Sequence, residues 1–146
     1  MIRNTLRTRQ WGLAAVELVI AAPVLLLLMM AITEFGNALI SYNTLNKMAQ
    51  NGIRFATTEI SGSATYDQIV DETEIKNVVV YGHKTVGENS SSLVAGVTTS
   101  DVTVDHSNGY VTVTVAHNYT PLITSFNSDI NFSVPLNASA MMRTTP

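Results

Sequence analysis

Residues 13–32 read LAAVELVIAAPVLLLLMMAI, and this apolar run restricts the fold more than any other feature of the chain. A helix of about 20 residues is roughly 30 Å long, the thickness of the hydrocarbon core of a bilayer. A secretory signal has a shorter apolar region, about 7–15 residues, closed by a small-residue cleavage site. No A-x-A follows this run. The run therefore predicts one membrane-spanning helix. It also explains a composition with 46% hydrophobic and only 13% charged residues, too apolar for an ordinary soluble domain unless one segment carries the excess.

Charge sets a direction for that span. The segment before it, MIRNTLRTRQW, contains Arg3, Arg7 and Arg9 and no acid, whereas Asp67, Asp71, Glu72, Glu74, Asp101, Asp105 and Asp129 all lie beyond it. Basic residues flanking one side of a span hold that side in the cytoplasm. The expected topology has the N-terminus inside and the acidic, Thr/Ser-rich remainder outside. The formal net charge of −3 gives no general attraction to nucleic acid, and no basic stripe is present for phosphates to follow. Cysteine is absent, which excludes disulfides and thiolate metal sites.

Two residues depart from the apolar pattern. Pro23 removes one backbone donor and is expected to kink the helix. Glu17 costs more: an acid at mid-span is unfavourable by about 2.5–3.5 kcal/mol, and by less near the end where Glu17 lies. Cleavage between Gly12 and Leu13 would give Leu13 a free α-ammonium and make Glu17 the fifth residue of the mature chain. Residues four apart share a helix face, so the two charges could pair within one chain or between neighbouring chains. The plainer alternative is a Glu17 that sits at the interface and reaches water.

A basic leader, Gly12, four residues, Glu17 and a continuing apolar helix together resemble the class III signal of type IV pilins. The segment GLAAVELVIAAPV at 12–24, EFG at 34–36 and AQNGIRFA at 49–56 are similar to TadE-like minor pilins (pseudopilins) of the tight-adherence, or Flp, pilus system. The tail segments YVTVTVAHNYTPLI at 110–123 and INFSVPLNASAMMR at 130–143 resemble that family's closing strands. The resemblance is densest over residues 9–56. Leu18 follows Glu17 where the major pilin has Tyr, which favours a minor subunit and separates the TadF-type sibling less sharply. The resemblance implies removal of residues 1–12 by a prepilin peptidase, an inner-membrane protein with a periplasmic C-terminal domain, and partners among other pilins, minor pilins and the Tad assembly platform. It further implies a part in adhesion and biofilm formation, with a place in the body of a surface pilus, at its tip or only in the assembly platform.

Beyond the span the helical pattern continues over 34–60. Phe35, Ala38, Leu39, Tyr42, Leu45, Ala49, Gly52, Ile53 and Ala56 recur at three- and four-residue steps, with Asn37, Ser41, Asn46, Lys47, Gln50 and Arg54 opposite. This predicts an amphipathic continuation whose apolar stripe covers a small domain at 61–146. Gly36 and Gly52 mark either close helix packing or simple tolerance. Ser61, Gly62 and Ser63 break the helix, and a short second helix is expected over about 66–79 with Gly82 near its end. The segment NVVVY at 77–81 fits a helix or a strand, and 82–100 reads as loop. Val102 and Val104, then Val111, Val113 and Val115, alternate with polar residues around Asn108-Gly109, a strong hairpin signal. Ile130, Phe132, Val134 and Leu136 form a third alternating strand, with Pro135 on its outward set, so this strand lies at an edge or ends there. The expected class is α+β: a long N-terminal helix, then a small antiparallel sheet, pilin-like.

The sequence carries few chemical motifs. His83, His106 and His117 lack zinc-ligand spacing, and Asp67, Asp71, Glu72 and Glu74 lack that of a calcium loop. No phosphate loop or nucleophile motif occurs, so no cofactor, no small-molecule substrate and no enzymatic activity are expected. Two rival readings remain: a secreted enzyme or binding domain cut after about residue 31, and an uncleaved single-span tether or envelope sensor that keeps Arg3 to Gly12.

Overall fold

The computed structural model describes residues 5–58, 68–121 and 133–144, with side chains from Gly12 onward. Helix α1 runs from Thr5–Thr58 and passes through Pro23 without a break in its helical residues. The chain divides into two compact units, Met1–Asn37 and Ala38–Pro146.

In the second unit, α1 is followed by helix α2 (Glu72–Tyr81), a short 3-10 turn (Thr99–Asp101) and strands β1 (Val102–Ser107), β2 (Tyr110–Tyr119) and β3 (Val134–Arg143). The strands form one antiparallel sheet in the order β1-β2-β3. The class is α+β, as the sequence predicts.

Each element has a local cause. Asn108 and Gly109 both adopt positive φ, 53° and 74°, so the two-residue turn matches the twist of β1 and β2 and sets Val102 opposite Val115. The Gly109 carbonyl accepts from the Thr144 N–H at 2.9 Å, tying the end of β3 to the hairpin tip. Helix α2 begins later than the expected 66: residues 68–71 are not helical, and Asp71 caps the helix by accepting from the Thr73 N–H at 2.8 Å. The Thr73 side chain first, and this backbone bond second, hold the Asp71 carboxyl below its ordinary pKa. At the other end Gly82, with φ +81°, donates to the Val78 carbonyl in the left-handed cap that only glycine adopts freely. The segment 77–81 is thus helix, with Val79 and Val80 fully buried.

One hydrophobic core joins Leu45, Met48, Ala49, Ile53 and Ala56 of α1, Ile75, Val79 and Val80 of α2, and Val102, Val111, Val113, Val115 and Ala138 of the sheet. Two expectations for α1 need correction. The buried stripe starts at Leu45, not Phe35: Phe35, Leu39 and Tyr42 are 67%, 46% and 41% exposed. A stripe is buried only as far as the sheet and α2 reach, and periodicity alone does not reveal that limit. Met48, outside the expected stripe, is buried with it. Of the two mid-helix glycines, Gly52 is a packing site, because a Cβ there would overlap Val79 Cγ2, while Gly36 faces open space.

The third strand extends further than the alternation at 130–136 indicates. It continues to Arg143 because Leu136, Ala138, Ala140 and Met142 sit opposite His117, Val115, Val113 and Val111 of β2. Pro135 lies on the exposed set of this edge strand, as expected. Ile130, Phe132 and the breaker at Ser61, Gly62 and Ser63 lie outside the described residues.

Candidate functional site

Among the described side chains of the first unit, from Gly12 onward, none is buried. The most apolar 18-residue window of α1 has a mean hydropathy of 2.6, and none of it is buried. A core helix of a soluble domain with that composition would lose its apolar surface to neighbours. Here Leu13 is 76% exposed, Ile20 70% and Met29 68%. The candidate site is this bare face.

Gly12, Leu13, Glu17 and Pro23 all lie within α1. Gly12 has open space among the described residues where a Cβ would be. Leu13 and Glu17 are one helical turn apart and share one shallow groove with Val16, Ile20, Ala21, Val24 and Leu25. The sequence pattern singles out Leu13 and Glu17 but not the other members of that face, although their three- and four-residue steps carry the signal. Glu17 places its carboxylate on the exposed side of the helix, within an almost wholly apolar lining. Pro23, also exposed, lacks the N–H that would otherwise bond the Val19 carbonyl one turn earlier.

The second unit offers less chemistry. Among the described residues no group of three or more His, Asp or Glu side chains could hold a metal ion. His83 lies 3.4 Å from Ser90 Oγ in the loop after α2, while His106 and His117 sit on β1 and β2. The one described ion pair, Lys76 with Glu72 at 2.7 Å, is a surface pair along α2.

Comparison with known proteins gives a result over α1. No curated protein and no solved structure matches the chain. The model of the TadE-like protein family matches residues 12–54, a stretch that opens at Gly12, contains Glu17 and Pro23, and ends inside the core-forming part of the helix. An apolar, uncovered N-terminal helix together with this match fits a membrane-anchored protein. Over residues 12–54 the chain is similar to the TadE-like protein family.

Proposed function

We propose that this protein is a minor pilin, or pseudopilin, that takes part in assembly of a Tad/Flp-type adhesive pilus, and that its role is structural rather than enzymatic. The supporting observation is the bare apolar helix with Leu13 and Glu17 on one face, inside the segment that matches the TadE-like family. In this reading the arginines before Gly12 keep the N-terminus in the cytoplasm, and the sheet-bearing unit stands in the periplasm. A prepilin peptidase cuts after Gly12. The new Leu13 ammonium then neutralises Glu17, on its own helix or on the next subunit, and so offsets the cost of an acid in lipid. Neighbouring pilins and the assembly platform supply the remaining cover for the apolar face. The kink expected at Pro23 belongs to the same proposal.

The N-terminal mass of the membrane-extracted chain tests it. A species beginning at Leu13 supports the proposal; one beginning at Met1, or a soluble species cut near residue 31, defeats it. Gly12→Leu is expected to abolish the short species almost completely. Glu17→Ala is expected to leave cleavage intact while surface pili, counted by shearing and blotting, fall sharply. Normal piliation of that variant would remove the charge-pairing step.

A further inference from the structure

The two edges of the sheet are not alike. A bare strand edge is a template for pairing with another chain, and proteins blunt such edges by keeping them short, charging them or covering them. Strand β1 has 6 residues and carries Asp105 on its exposed set. Strand β3 has 10 residues and no charge before Arg143 at its end. Pro135 guards only the other end. Among the described residues β3 is paired with β2 alone, and Asn137, Ser139 and Met141 are exposed.

We propose that the outer edge of β3, unpaired among the described residues, pairs antiparallel with β3 of a second copy of this chain, joining two three-stranded sheets into one of six strands. The strand is complementary to itself about Ser139. Residues directly opposite in an antiparallel pair lie on the same face, so core-facing positions must meet core-facing positions. Pairing centred on Ser139 does this, with Ala138 opposite Ala140 and Leu136 opposite Met142. On the outer face Asn137 meets Met141. Arg143 falls opposite uncharged Pro135, so no like charges confront each other, and Pro135 lies at the end of the ladder where its missing N–H costs least. Leu136 is partly exposed and Met142 37% exposed in the single chain, and each gains an apolar neighbour across the two-fold axis.

The chain has no cysteine, so Ser139→Cys introduces a single thiol. In this register its counterpart lies directly opposite, with Cβ atoms about 4.5–5.5 Å apart, a short adjustment from disulfide geometry. Mild oxidation of the full chain in detergent, followed on a non-reducing gel, is expected to give dimer about tenfold faster than Thr103→Cys, an exposed position on β1. Adding Asn137→Lys and Met141→Lys places like charges opposite each other and is expected to slow Ser139→Cys cross-linking by about tenfold. The melting temperature should hold, because both side chains face solvent. Equal rates for the two cysteine variants overturn the proposal, as does cross-linking in cells solely to a different protein. The readout needs neither removal of residues 1–12 nor a pilus, so its failure leaves the pilin reading standing.

Discussion

Within α1, residues 13–32 and residues 45–56 are made of similar apolar side chains and meet opposite fates. In the first stretch the Leu, Val and Ile side chains and Met29 stay exposed all round the helix. In the second, Leu45, Met48, Ala49, Gly52, Ile53 and Ala56 are buried on one side while Lys47, Gln50 and Arg54 stay exposed on the other. The difference lies in the polar residues. A helix apolar on every side can be satisfied only by an apolar medium or by several partners, whereas a one-sided stripe is satisfied by one layer of sheet. The TadE-like match covers the first stretch and the second as far as Arg54.

The contrast can be broken most directly by truncating one leucine in each stretch. Leu45→Ala removes a fully buried side chain and is expected to destabilise the second unit by about 2–5 kcal/mol. Leu26→Ala, at a position 66% exposed, should change the same denaturation midpoint by less than about 0.5 kcal/mol. Chemical unfolding of the full chain in detergent, followed by circular dichroism, measures both. Equal effects would mean that the two stretches are covered alike.

The glycines sharpen the comparison at smaller amplitude. Gly52→Ala drives a methyl group into the β-branched Val79, and the overpacking outweighs the gain in helix propensity by about 1–2 kcal/mol. Gly36→Ala meets open space and should be neutral, or stabilise α1 by up to about 1 kcal/mol. Thermal melts of the two variants should therefore shift in opposite directions or differ clearly in size.

Asp71 gives the smallest effect. Its folded pKa is held down by the bonds from Thr73, so its contribution is fully present above the unfolded aspartate value, about 3.9. It is lost as pH falls through the lower folded value. Asp71→Asn should flatten that acid-limb dependence of the melting temperature and leave melts at neutral pH close to the parent. An unchanged acid limb would show that the cap does not titrate.

How much could be foreseen varied with the range of the interaction. The Asn108-Gly109 turn and the Gly82 cap were legible because positive φ is a local demand that few residues meet. The α2 start was missed although Asp71, followed three residues on by Glu74, has the look of an N-terminal cap. That Leu13 and Glu17 share a face was legible as spacing, whereas Val16, Ile20 and Val24 on the same face were not singled out. What lies against that face was not legible, because no described residue of this chain buries it.

The sequence by itself determined a long helix with an uncovered apolar first half, a tight hairpin and an edge strand marked by Pro135. Tertiary structure decided where burial of α1 begins, which glycine makes close contact, that residues 77–81 coil rather than extend, and how far β3 runs. The first group follows from backbone preferences and side-chain period within a few residues. The second depends on which surfaces meet across the fold, since Val79 makes Gly52 necessary and the inner face of β2 keeps β3 in register to Arg143.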